Sequence, residues 1–309
     1  MSRKVKADLL LIFNTVIWGA TFVVVKEALS DSSVFVYLAL RFVVAAILLL
    51  IFYGRTLRDL SFSGYRAGAL IGCFMFAAYS FQTVGLGLTT PSKAAFITGF
   101  SVVLVPVLLA IFGSRRIRAW VWTGAGAAIT GLYLLTIPAS GVTHLNSGDL
   151  LVLCCALMYA LHIISVGHYT KQYSPSALAL LQISTTAAGT LLAIPLLSVT
   201  GWEPAHLHWT STLIIAVVST GVGGTAIAFS AQAWAQQYTS SSHTAIIFSL
   251  EPVIAGLTSY LFYHERMGWR ALAGAALILA GILVAELMGT APVAPESTLT
   301  EEDGGLPQS

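Results

Sequence analysis

Charge is scarce in this chain. Lys, Arg, Asp and Glu make up 9% of its 309 residues, where a soluble domain carries about 25%. A soluble core of this size needs a charged shell, so its absence excludes a water-soluble globular protein. The formal net charge of +2 is too small to capture nucleic acid, and no such partner is expected. Cysteine is scarce too. Cys73, Cys154 and Cys155 all fall inside apolar runs, and adjacent Cys154 and Cys155 point to different helix faces, which argues against a disulfide framework or a metal knuckle. His206 and His208, beside Trp202 and Trp209, read better as part of an interfacial aromatic belt than as metal ligands. There is no phosphate-binding G-x-x-x-x-G-K-[ST] loop for ATP drive. His264-Glu265 is followed by no histidine four positions after His264, so a zinc-peptidase helix is excluded. No cofactor is called for.

What is present is apolar length. Hydrophobic residues make up 57% of the chain and mean hydropathy is +0.84, which describes an all-α polytopic membrane protein. Apolar runs bounded by charge or turn residues predict ten spans, at residues 8–27, 33–53, 66–88, 91–112, 118–137, 149–167, 175–198, 210–236, 240–263 and 269–287; each is long enough to cross a ~30 Å hydrocarbon core. Residues 1–7 form an N-terminal segment, 138–148 a linker, and 288–309 an acidic, polar tail expected to be disordered. An even number of spans puts both termini on one side. One orientation gathers Arg3, Lys4, Lys6, Arg55, Arg58, Arg66, Arg115, Arg116, Arg118 and Lys171 together and leaves Lys26, Lys93, Arg266 and Arg270 opposite. By the positive-inside rule the first set, and both termini, are cytoplasmic.

The spans form two copies of a five-helix unit, residues 8–137 and 149–287. Asp8 falls on Asp149 at a shift of 141, which also sets Asn14 on Cys155, Trp18 on Tyr159, Thr21 on His162 and Arg41 on Gln182. From Ser80 onward the shift is 150, pairing Gln82 with Gln232, Thr89 with Thr239, Ser92 with Ser242, Gly124 with Gly274 and Gly131 with Gly281. An odd number of spans per copy inverts the second, the repeat of many secondary transporters, whose solute site lies near the midplane between copies.

The ninth span carries the sharpest anomaly. Glu251 lies about 16 Å along it by helical rise, near the bilayer centre, where an ionisable group is a functional candidate by default. As one helix, the span aligns Thr244, Glu251 and Thr258 on one face. Pro252 follows with no N–H to donate, and with Pro106 in the first copy it marks an expected helix break. At a shift of 150 Glu251 falls on Ser101, so the carboxylate belongs to one copy alone. The competing reading is a proline kink with a carboxylate bonded to a neighbouring helix.

The chain resembles the EamA group of the drug/metabolite transporter superfamily. The resemblance rests on Trp18-Gly19, on Ser249-Leu250-Glu251-Pro252-Val253, on His264-Glu265-Arg266 in place of the family's Gly-Glu-Arg, and on the Gly274 to Gly281 pattern. It spans about Asp8 to Glu286. In the first copy Gly113-Ser114-Arg115-Arg116 departs from the pattern. The resemblance implies an inner-membrane carrier, often an exporter of amino acids or related metabolites, with ten helices around a central cavity.

Helical spacing groups the remaining site candidates: Asn14, Trp18 and Thr21 on the first span, Cys155, Tyr159 and His162 on the sixth, Tyr79 with Gln82 on the third, and Gln232 with Phe229 and Gln236 on the eighth. Polar groups interleaved with rings suit a small amphipathic solute; the alternative is interhelical hydrogen bonding and ring packing. Arg41 could snorkel outward, or face the cavity and pair with Glu251 or a solute carboxylate. The expected function is secondary transport of an amino acid, another small metabolite or an amphipathic drug by alternating access, against a sensor, scaffold or passive channel as the alternative. A small-molecule substrate and the lipid bilayer are the expected partners, with proton coupling and a homodimer as further options.

Overall fold

A computed structural model describes residues 2–113, 119–136 and 146–289. Among them the chain is helical: α1 (Arg3–Ala28), α2 (Val34–Tyr53), α3 (Phe62–Leu88), α4 (Pro91–Gly99), α5 (Ser101–Gly113), α6 (Ala119–Thr136), α7 (Ser147–Tyr169), α8 (Pro175–Val199), α9 (Ser211–Val218), α10 (Ala228–Ala235), α11 (Ser241–Phe248), α12 (Glu251–Tyr263) and α13 (Trp269–Gly289). A π-helical segment, Ser219–Ile227, joins α9 to α10. Hydroxyl caps start many of these helices. Thr90 Oγ1 accepts from the Lys93 amide and Ser240 Oγ from the His243 amide, at equivalent positions of the two copies.

Eight stretches among the described residues are long and apolar enough to cross a membrane, from Arg3–Ala28 to Ser241–Tyr263. The last helix adds a shorter apolar run, Trp269–Val284, which packs with α6. The polarity pattern is inverted relative to a soluble protein. Phe52, Leu192 and Val199 are 70%, 72% and 88% exposed, while Arg41, Gln182, His162 and Gln232 are buried. Such a surface belongs in lipid, and the chain is a multi-pass membrane protein.

The strongest packing joins the first half of the chain to the second: α6 with α13, α3 with α7 and α8, α2 with α8, and α1 with α12 and α10. Small residues permit the closest of these contacts. A Cβ on Gly131 would meet the Gly274 carbonyl oxygen at 2.5 Å, and one on Gly281 would collide with the Gly124 carbonyl. Gly131 thus faces Gly274 while Gly124 faces Gly281, so α6 and α13 run antiparallel and residues matched by the repeat exchange partners.

Two expectations about helix breaks change. The fourth and ninth spans each divide, into α4 and α5 across Phe100 and into α11 and α12 across Ser249 and Leu250. Pro106 lies inside α5, which continues through it; a proline removes one backbone donor, and the flanking helical bonds here carry the helix past it. Pro252 opens α12 just after its break, where a missing N–H costs nothing. The breaks keep the register of the repeat, since α5 begins at Ser101 and α12 at Glu251. The division also dissolves the single face drawn through Thr244, Glu251 and Thr258. Thr244 is buried on α11, and Thr258 bonds back to the Ile254 and Ala255 carbonyls of its own helix. Residues 114–118, most of the linker (137–145) and the tail from 290 onward lie outside the described residues, so the Ser114-Arg115-Arg116 departure and the expected disorder of the tail are not addressed by it.

Candidate functional site

Between the two halves lies a cavity of about 50 Å³. Eight of the nine residues expected to bind solute line it: Trp18, Arg41, Tyr79, Gln82, Tyr159, His162, Gln232 and Glu251. Asn14 does not. Its amide donates to the Ala228 carbonyl at 2.7 Å, holding α1 against α10 one turn away from Trp18.

Trp18 and Gly19 act together. A Cβ on Gly19 would lie 2.8 Å from Ile254 Cβ and 2.9 Å from the Glu251 carbonyl oxygen, so glycine lets α1 touch the broken ninth span at its break. The adjacent indole then forms a wall of the cavity. Its N–H donates to the Gly224 carbonyl at 2.8 Å, and its ring packs on Phe229 and Phe248 at centroid distances of 5.0 and 5.1 Å. Tyr79 continues the wall toward Tyr159, at 5.7 Å.

Arg41 is 2% exposed. Its Nε donates to Thr225 Oγ1 at 2.7 Å, and one Nη donates to Tyr79 Oη at 3.0 Å and to the Gly224 carbonyl at 3.5 Å. Its guanidinium carbon lies 4.6 Å from the centroid of the Tyr79 ring. Among the described residues Lys93 forms an ion pair with Asp149, and His243 Nε2 lies 3.0 Å from Asp8 Oδ1, an ion pair when the ring is protonated, so the anticipated Arg41–Glu251 pair is not formed. Neutral groups hold Arg41 in place, and its guanidinium lines the cavity with no carboxylate of the described residues in ion-pair contact. Glu251 begins α12 at the cavity wall, with no hydrogen bond or ion pair of its carboxylate among the described residues.

Sequence reasoning missed the π-helical segment. Its Gly224 carbonyl and Thr225 hydroxyl orient both Trp18 and Arg41. The signal was the cluster Gly221, Gly223, Gly224 inside an apolar span; π-helical turns are frequent at functional sites. Thr98, which accepts a hydrogen bond from the Gln82 side-chain amide at 3.3 Å, was also not anticipated. It stands on α4 beside the break at Phe100.

The model of the EamA-like transporter family matches twice, at residues 5–137 and 146–287. The chain belongs to the EamA-like transporter family. An uncharacterized transporter of Archaeoglobus fulgidus is 34% identical over 92% of this chain and 87% of its own length. The threonine/homoserine exporter RhtA of Escherichia coli is 27% identical over 85% of this chain and 78% of its own. A crystal structure covering 92% of this chain and 97% of its own superposes with a TM-score of 0.67 at 20% identity, a likeness of fold. Each of the two EamA matches contains one broken helix, the first at Phe100 and the second at Ser249 and Leu250.

Proposed function

We propose that this transporter is a ten-span secondary carrier that exports a small zwitterionic metabolite, an amino acid or a close relative, by alternating access. The observation that carries the reading is the presence in one buried cavity of a basic and an acidic side chain, Arg41 and Glu251, neither in an ion pair among the described residues. A guanidinium anchored by neutral neighbours keeps its attraction for a carboxylate, and an unpaired glutamate can take an ammonium group or a proton. An amino acid brings the two complementary charges together. The exporter named for threonine and homoserine among the relatives agrees in chemical class and direction.

Alternating access in this reading comes from two inverted units, residues 8–137 and 149–287, with α6 and α13 as the fifth and tenth spans and both termini in the cytoplasm of the inner-membrane-bounded cell. Two matched polar contacts support it. Asp149 accepts from Lys93 at 2.8 Å and from Thr89 at 2.6 Å, and Asp8 contacts His243 at 3.0 Å. Asp8 matches Asp149 and Lys93 matches His243 in the repeat, so each pair ties the start of a long helix of one copy to the start of a broken helix of the other. In an inverted repeat, matched contacts lie on opposite faces of the membrane. The test is uptake of radiolabelled amino acids into liposomes holding the purified protein. Saturable flux of at least one neutral amino acid, lowered about 10-fold or more by Arg41→Gln at matched protein, is expected; no flux of any amino acid would overturn the reading.

A further inference from the structure

We infer that the side of the cavity between α7 and α10 is a subsite for a hydrogen-bond donor on the solute's side chain, with His162 and Gln232 as its specificity-determining residues. The inference rests on the reading above, that this cavity holds the solute. His162 and Gln232 are each 1% exposed, both line the cavity, and each has one polar atom without a partner among the described residues, His162 Nδ1 and Gln232 Oε1.

The bonding around them fixes what those atoms offer. Gln236 Nε2 donates to the Ile163 carbonyl at 3.1 Å, which orients its amide and leaves its Oε1 as an acceptor. Gln232 Nε2 donates to that Oε1 at 2.9 Å, so Gln232 Oε1 is left as a bare acceptor. His162 Nε2 lies 2.8 Å from Gln182 Oε1. Facing an acceptor, Nε2 carries the ring hydrogen and Nδ1 presents a lone pair. Two acceptors therefore flank Phe229, whose ring centroid is 5.7 Å from that of His162 and which lies one turn before Gln232 on α10. Buried acceptors left unmet are costly and uncommon. A hydroxyl or amine of the solute meets them; a methyl group leaves them bare, and a carboxylate sets its own lone pairs against theirs.

The subsite thus separates solutes that share a zwitterionic head. Binding of L-threonine and L-valine, which differ by hydroxyl against methyl, and of L-homoserine and L-norvaline is measured calorimetrically on the purified wild-type transporter. The hydroxylated member of at least one pair is expected to bind about 10-fold tighter or more, because a site built around a hydroxyl rejects the analogue lacking it. Gln232→Leu, similar in volume but without the acceptor, should bring that ratio close to one. Equal wild-type affinities within both pairs, as when ordered water fills the subsite, would overturn the subsite and leave the zwitterion site standing. A ratio unchanged in a folded Gln232→Leu protein would overturn the role of Gln232. Absence of binding by all four amino acids overturns the amino-acid reading itself and the subsite with it.

Discussion

Pro252 packs its ring against Gly99, where a Cβ would lie 2.8 Å from Pro252 Cγ. Each residue borders the break of its own span, Gly99 as the last residue of α4 and Pro252 as the second of α12. The two broken helices therefore meet at their breaks, and Gly99 also lines the cavity. A rigid ring cannot yield as a flexible side chain does. Gly99→Ala should cost about 1–3 kcal/mol, as overpacking usually does, and should lower flux as well. Gly126→Ala is the control: a Cβ there meets nothing within 4 Å. Thermal unfolding in detergent should show a lowered transition for the first variant alone; equal behaviour of both would remove the tight contact from the account.

The pair Asp8 and His243 and its counterpart Asp149 and Lys93 should act on opposite openings. In a background with Cys73, Cys154 and Cys155 replaced by alanine, Ser101→Cys places one thiol on the cavity wall. Adding Asp149→Asn should raise labelling by a membrane-impermeant reagent from one side of sealed vesicles, and Asp8→Asn from the other, each by about 3-fold or more. A partly exposed ion pair is worth up to about 1 kcal/mol, which corresponds to a change of that order. Increased labelling from the same side in both variants would contradict the inverted arrangement.

His264 takes the place where the family pattern has glycine, and its backbone is left-handed, with φ of 51°. There it ends α12, and the next residue, Glu265, accepts from the Ser259 hydroxyl and from the Ser92 amide at the start of α4. A left-handed position tolerates glycine and strains a β-branched residue. His264→Gly should leave the melting temperature unchanged or slightly higher, while His264→Val should lose about 1–2 kcal/mol. A melt insensitive to valine would show that this turn does not constrain the fold.

The cavity wall was legible because polar side chains in an apolar span avoid lipid, and rings at helical spacing beside them share their face. Trp18, Tyr79, Tyr159 and Gln232 all reach the cavity for that reason. Asn14 shares the spacing, yet α10 approaches closely enough for the Ala228 carbonyl to take its amide; a contact between distant segments leaves no periodicity. The breaks were misplaced in the first copy because Pro106 is a visible signal, whereas the actual break at Phe100 follows Gly99, whose small size matters only once Pro252 is opposite. The π-helical segment was missed for a related reason. Its glycines are plain in the chain, but an apolar window reads alike whether it winds as α or π.

The most direct measurement is the pH profile of flux through Glu251→Gln in liposomes. Glutamine keeps the size and hydrogen-bonding capacity of the side chain and removes its titration. At matched protein levels across about pH 4 to 8, a range that takes in the ordinary glutamate titration near about 4.3 and the units above it, the wild type should show pH-dependent flux. The variant should fold and insert normally, lose about 10-fold or more of its peak flux, and give a flat profile. A variant that transports at the wild-type rate with the wild-type pH dependence would contradict the assignment of Glu251 as the proton or solute site.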